Sequence, residues 1–68
     1  MSIAKIIQVV ANSDKSFDDA IQQGVTSAAQ TVRGIHGVKI IDWTAKVAND
    51  KITGYKVTMD IAFAVEAK

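Results

Sequence analysis

The sequence predicts an α+β domain with the element order β-α-β-β, in which a three-stranded antiparallel sheet wraps around one helix. One stretch of the chain carries a single apolar stripe at helical spacing. Another stretch alternates between apolar and other side chains, as a half-buried strand does. Sixty-eight residues without cysteine make one small domain, 1–68, that no disulfide can stabilise.

The first strand is predicted at residues 3–11. It contains two adjacent apolar pairs, Ile6-Ile7 and Val9-Val10, so both of its faces are apolar. The polar residues 12–15 then form the loop into the helix.

The helix is predicted from Phe17 to Val32. Its apolar residues fall on one stripe, which is built mostly of alanine, glycine and valine. Ser16 is placed to cap the first turn, and Gly34 is predicted to end the helix. Because small side chains let a backbone come close, we expect the sheet to lie directly against this stripe.

The second and third strands are predicted at residues 36–48 and 51–66. The third strand has its large apolar side chains at the odd positions from Tyr55 to Val65, which is the alternation of a half-buried strand. Asn49-Asp50 suits a two-residue hairpin turn, because both residue types tolerate a positive φ.

That turn fixes a register, which places Val38 and Ile40 on the helix face of the sheet. The opposite face then holds four pairs: Gly37 with Ala62, Lys39 with Asp60, Ile41 with Thr58, and Trp43 with Lys56. Asp42 is the misfit, because it falls among apolar partners on the helix face. A bulge near Asp42, or exposure at the sheet margin, would relieve it.

These elements predict a homo-oligomer. One helix covers only one face of the sheet, so Ile41, Trp43 and one side of the first strand would remain exposed to solvent in a monomer. A single core in a chain of this length supplies only about 3–5 kcal/mol of stability.

The net charge of +1 and the scattered basic residues argue against a nucleic-acid partner. The sequence shows no signal peptide and no transmembrane segment, which argues against a membrane partner and favours a cytoplasmic location.

Several runs of the sequence resemble those of the dodecins, small flavin-binding proteins with this element order. They are residues 5–13, 16–21, 31–33, 51–52, 55–58 and 61–63, which read KIIQVVANS, SFDDAI, TVR, KI, YKVT and IAF. The resemblance covers nearly all of the chain and rests on its whole pattern rather than on one catalytic motif. It implies a hollow cage of twelve subunits that binds a flavin (riboflavin, FMN or FAD) for storage or protection rather than turnover.

The resemblance also identifies candidate flavin-binding positions. In the family, paired flavins stack between tryptophans of symmetry-related subunits, and a glutamine on the last strand contacts the ring. These positions match Gly37 and Lys56 here. Because glycine offers no aromatic face, we expect flavin affinity to be weak or lost. Trp43 is the third candidate, but it lies six residues from Gly37 on the same predicted face, roughly 20 Å along a strand. It could therefore replace the missing ring only from another subunit.

Two of these residues have alternative interpretations. Trp43 is either a subunit-interface residue with Lys56 over its ring, or a platform for a ligand. Lys56 is either a solvated or paired lysine, or a point charge for a phosphate or another anion. His36 is expected to be exposed, with a pH switch as the alternative.

A divalent metal ion is a further possible ligand. Asp14, Asp18 and Asp19 cluster at the helix start, where capping and the helix dipole already explain them. Asp42 and Asp60 are the other candidates. Calcium takes six to eight oxygens, so such a site would need several subunits.

The leading functional hypothesis is therefore a non-enzymatic, dodecin-like flavin-binding and storage cage. The alternative is a structural or scavenging shell that binds no flavin and instead holds metal ions or anionic small molecules. An enzyme ranks third, because the sequence pairs no nucleophile with a base, and His36 has no orienting partner.

Overall fold

The computed structural model describes residues 2–66 as four elements: β1 (Ser2–Ser13), α1 (Phe17–Ala28), β2 (Ile35–Ala48) and β3 (Lys51–Glu66). The strands form one antiparallel sheet in the order β1-β3-β2, so β3 is central. Helix α1 packs across one face of the sheet, against β1 and β3. The predicted fold class is confirmed. Within the described residues, no helix is long and apolar enough to cross a membrane.

The core lies between α1 and β3. Helix α1 contributes two alanines and β3 contributes three larger side chains; the buried residues are Ala20, Ala28, Val57, Met59 and Ile61. A Cβ added at Gly24 would lie only 2.8 Å from Met59 Cε and 3.3 Å from Ala11 Cβ. The predicted close approach of the helix to the sheet is therefore confirmed, and it depends on Gly24 having no side chain.

The start of α1 was predicted correctly and its end was not. Ser16 Oγ accepts from Asp19 N at 3.0 Å, which is the expected cap. The helix ends at Ala28 rather than at Val32. Its last turn tightens, because Gln30 N donates to Ser27 O and Thr31 N to Ala28 O, three residues back. Val32 still packs against the core from the loop.

The hairpin turn is as predicted, since Asn49 has φ 53° and Asp50 has φ 64°. Gly34 has φ 77°, but it lies six residues beyond Ala28, so the prediction that it ends the helix is wrong. Its carbonyl oxygen instead accepts from Ala64 N at 2.9 Å, where the chain enters β2. Strand β1 is longer than predicted, because it continues to pair with β3 as far as Ser13 opposite Tyr55. Strand β2 begins at Ile35, one residue before the predicted start.

The register of β2 on β3 is confirmed from Gly37 to Ile40 and again next to the turn, where Ala48 lies opposite Lys51, but it is wrong between these two parts. A second irregularity, between Lys46 and Val47, separates the wrong part from the pairs at the turn. Lys39 lies opposite Asp60, as predicted. A bulge then shifts the ladder between Ile40 and Asp42, so the predicted partner of Ile41 is wrong. Asp42 lies opposite Thr58, on the face away from α1. The predicted bulge near Asp42 therefore exists, and it relieves the misfit.

The same bulge moves Trp43. Its partner is Val57 rather than the predicted Lys56, and Lys56 lies opposite Thr44 instead. Because Val57 is buried under α1, Trp43 lies on the helix face of the sheet. The prediction that Trp43 belongs to the opposite face, together with Gly37, is wrong.

Large apolar side chains stay exposed in two regions. On the face of β1 turned away from α1, Ile6 is 62% and Val10 56% exposed. Along the hairpin, Trp43, Val47 and Ile52 are 52%, 65% and 55% exposed. The hairpin extends past the end of β1, and the chain measures 55 × 19 × 13 Å. A single chain is thus a thin, elongated body with a small core.

Candidate ligand-binding site

Gly37 is the position at which the family resemblance expects a stacking ring. It lies on β2 opposite Ala62, on the face away from α1. An ideal Cβ at Gly37 would have no atom within 4 Å, so a side chain here would enter open space. The position therefore offers no aromatic surface, and a Cβ there would meet no atom of the same chain.

Lys56 lies on the same face of the sheet, between Asn12 of β1 and Thr44 of β2. Along β3 it is six residues from Ala62, the partner of Gly37, or roughly 20 Å. Lys56 and Gly37 of one chain therefore cannot contact the same flat ring. A ligand held by both positions would have to lie between two subunits.

Trp43 packs in an aromatic cluster with Phe17 and Tyr55. The ring centroids of Phe17 and Trp43 are 5.0 Å apart at 78°, and those of Phe17 and Tyr55 are 4.9 Å apart at 73°. Both pairs are edge-to-face contacts, which add to the packing of α1 on the hairpin. The predicted contact between Trp43 and Lys56 is wrong, because the two side chains lie on opposite faces.

A cleft of about 490 Å³ forms where β1 ends beside the continuing hairpin, and we call it the strand-end cleft. Its lining comes from both edges of this corner: Asn12, Ser13, Asp14, Thr44, Ala45, Lys46, Thr53, Gly54, Tyr55 and Lys56. Sequence reasoning missed it. The sequence signal that could have found it is that Thr44 pairs with Lys56 and Lys46 with Gly54 on one face of the hairpin. Those pairs follow only once the bulge between Ile40 and Asp42 is known.

Two ammonium groups dominate the charge of the strand-end cleft. Lys46 and Lys56 line it, and Asp14 is its one carboxylate. None of the side-chain hydrogen bonds recorded among residues 2–66 uses Nζ of either lysine. Gly54 lies beside Lys46, with an ideal Cβ there 3.8 Å from Lys46 Cβ. The cleft is thus a positively charged pocket in which the side chain of Lys46 lies over Gly54.

At the helix start, the carboxylate of Asp19 joins the end of β1 to α1. Asp19 Oδ2 accepts from Ser13 Oγ at 2.5 Å and from Gln23 Nε2 at 2.6 Å. The bond from Ser13, then that from Gln23, and then the charge of Lys15 hold the pKa of Asp19 below 3.8. Partial desolvation opposes this shift.

The metal and pH hypotheses stay predictions. Asp60, another metal candidate, accepts from Gln8 Nε2 at 3.1 Å. Within residues 2–66, no group of three or more His, Cys, Asp or Glu side chains is placed to hold a metal ion. A metal site assembled from several copies is therefore still untested. His36 is exposed in the bulge between Ile35 and Gly37.

The family model described as Dodecin matches residues 3–66. The chain belongs to the dodecin family. None of the curated proteins compared gives a significant match.

Solved structures of dodecins share this fold along the whole chain. A mutant dodecin of T. thermophilus gives a TM-score of 0.91 at 20% identity, with 100% of both chains covered. The dodecin from Streptomyces davaonensis gives 0.88 at 21%, with 97% of both chains covered. The calcium dodecin of Mycobacterium tuberculosis, described as a calcium-chelating antigen with a novel calcium-binding site, gives 0.78 at 22%, covering 97% of this chain and 94% of that one. At these identities the likeness shows the fold.

Proposed function

We propose that this chain is a non-enzymatic binding protein that assembles into a closed dodecin-type cage and holds a small molecule at its subunit contacts. The expected assembly is the dodecamer that the family resemblance implies, and the expected ligand class is flavin. The observation that carries the proposal is the apolar surface that a single chain leaves uncovered on β1 and along the hairpin.

The case for assembly is energetic. Five apolar side chains are buried within the described part of the chain, whereas Ile6, Val10, Val47 and Ile52 are each more than half exposed. Burying such side chains stabilises by about 1.5–3 kcal/mol each. Contact between copies covers them without a larger chain. These exposed residues lie on two separate regions, which suits a closed assembly with more than one kind of contact.

The case for a flavin at the contacts rests on the family and on the sheet geometry. Gly37 and Lys56 lie roughly 20 Å apart along the sheet, so a site that uses both takes them from different copies. The chain itself lacks the ring that would stack on the ligand at Gly37. The residues present thus fit a flavin poorly, and we expect weak affinity.

The test is a riboflavin titration of the wild-type protein and of Gly37→Trp/Lys56→Gln, followed by flavin fluorescence quenching. Stacking of a base on an aromatic side chain is worth about 1–3 kcal/mol per ring, or roughly 5- to 150-fold in affinity. An ideal Cβ at Gly37 has no atom of the same chain within 4 Å, so a new side chain can leave the backbone there without a clash. We expect the double variant to bind at least about tenfold more tightly than the wild type.

The single variants Gly37→Trp and Lys56→Gln are the controls, and both changes are expected to be needed for the full gain. An intact assembly that shows no gain in the double variant would contradict the assignment of the site. Tight, strongly quenched binding by the wild type would show that another residue does the stacking, with Trp43 of a neighbouring subunit as the candidate.

The alternative is a shell that holds anionic molecules without flavin. The two lysines of the strand-end cleft favour it. The absorbance spectrum of the purified protein discriminates the two functions: a flavin spectrum supports the first, and its absence together with retained anion binding supports the second.

A further inference from the structure

We propose that the strand-end cleft binds the phosphate group of a small anionic molecule through Lys46 and Lys56. The inference deepens the proposed function and rests on it in one respect, that Lys56 is open to a ligand in the assembled protein. The cleft itself lies within one chain. It therefore differs from a ring site shared between Gly37 and Lys56 of two copies.

The size and place of the cleft suit a small ligand. Its volume of about 490 Å³ lies within the usual range of small-molecule pockets, about 300–1,000 Å³. It exists because β1 stops at Ser13 while β2 and β3 continue as a hairpin. The chain turns away at Asp14 and leaves a corner between the end of β1 and the hairpin.

The two lysines are placed to share one phosphate. Lys46 lies opposite Gly54, and Lys56 is two residues further along β3. Diagonal neighbours of this kind on one face of an antiparallel sheet are roughly 7–8 Å apart. Lysine side chains are long and flexible enough to bring both ammonium groups to one anion across that distance.

The surroundings of the two lysines offer neutral polar groups. Gly54 separates the two lysines on their face of the sheet, and the nearest side-chain atom to its ideal Cβ is Lys46 Cβ at 3.8 Å. The Asn12 amide and the Thr44 hydroxyl flank Lys56. Thr44 Oγ1 makes only a long bond of 3.4 Å to Lys56 O, so the hydroxyl is free to turn to a ligand. Two charges and two neutral groups suit a doubly charged phosphate better than a single carboxylate.

The test uses the assembled protein and inorganic pyrophosphate, titrated calorimetrically at low ionic strength. We expect measurable binding that weakens as salt is added. Lys46→Gln and Lys56→Gln should each weaken it by about threefold or more, because each removes one charge from a partly exposed contact. Asp14→Asn should strengthen it, since it removes the carboxylate that repels the anion.

Lys39→Gln is the matched control. It removes the same charge from β2 on the same face, but Lys39 lies opposite Asp60 and outside the cleft. The affinity should be unchanged. An equal loss in all three lysine variants, or no binding by the wild type, would overturn the proposal. Acetate binding as tightly as pyrophosphate would overturn the preference for phosphate.

The two proposals fail separately. Lys56→Gln is expected to weaken pyrophosphate binding but to favour riboflavin in the Gly37→Trp background. Pyrophosphate binding without a riboflavin gain would contradict the flavin site alone. A riboflavin gain with no effect of Lys46→Gln on pyrophosphate would contradict the phosphate site alone.

Discussion

Individual small residues of α1 set its distance from the sheet. Ala28 is buried and the adjacent Ala29 is exposed. The same substitution at these neighbours therefore tests the packing with one matched pair. Ala28→Phe should destabilise the protein by about 1–3 kcal/mol, because the space against the sheet is already filled.

Ala29→Phe should change the free energy of unfolding by less than about 0.5 kcal/mol, as exposed substitutions usually do. The measurement is thermal or denaturant unfolding of both variants beside the wild type. Equal losses would show that the helix face has been assigned wrongly.

A single carboxylate links the helix start to acid stability. Hydrogen bonds from Ser13 and Gln23 hold the pKa of Asp19 below its unfolded value of 3.8. A lowered folded pKa means that the folded state favours the charged form. The stabilisation is thus present above pH 3.8 and is lost as the pH falls through the lower, folded value.

Asp19→Asn should therefore lower the melting temperature clearly at pH 7 and by less at pH 3. Asp18→Asn is the control, because Asp18 is exposed and shares the first turn of α1. Its effect should be smaller at both pH values. A loss in Asp19→Asn that is independent of pH would contradict this role of the carboxylate.

At the scale of elements, the bulge at Ile41 decides which face each later residue of β2 occupies. Ile40 lies opposite Met59, and Asp42 opposite Thr58, so Ile41 is the extra residue. Deleting Ile41 would leave every other pair in place and remove only the bulge. Deleting Thr44 would instead move Ala45 and Lys46 to the opposite faces.

We therefore expect the Ile41 deletion to keep the fold and to lose much less stability than the Thr44 deletion. Circular dichroism and thermal unfolding measure the difference, and the fluorescence of Trp43 reports whether its aromatic contacts persist. A greater loss from the Ile41 deletion would show that the bulge supplies necessary twist rather than only a change of register.

The same elements show how far the sequence predicts this fold. The alternation of β3 and the Asn49-Asp50 turn predicted the hairpin correctly, because both signals are local. The charge of Asp42 indicated a bulge nearby. The sequence could not assign the extra residue to Ile41, since that depends on packing under α1. The helix end was also missed, because Val32 continues the apolar stripe while packing from a loop.

At the scale of the molecule, the candidate site was only partly predictable. Gly37 and Lys56 came from the family pattern, and neither depends on the exact register. Trp43 was placed on the wrong face, because one bulge reverses every later side chain. The strand-end cleft was missed, because it arises from the difference in length between β1 and the hairpin. That difference appears only once the strands are paired.

The whole molecule also explains why assembly comes before ligand binding in this proposal. A chain of 7.3 kDa that leaves Ile6, Val10, Val47 and Ile52 largely exposed has little core of its own. Gly37 and Lys56 meet at one ligand only if copies of the chain supply them. The function proposed here therefore requires the oligomer.

Light scattering coupled to size-exclusion chromatography tests this requirement most directly. At micromolar concentration we expect one species whose mass is many times the 7.3 kDa of the chain, and close to twelve times that value for the dodecin stoichiometry. A folded species with a mass near 7.3 kDa would contradict the proposed assembly and, with it, a ligand site shared between subunits.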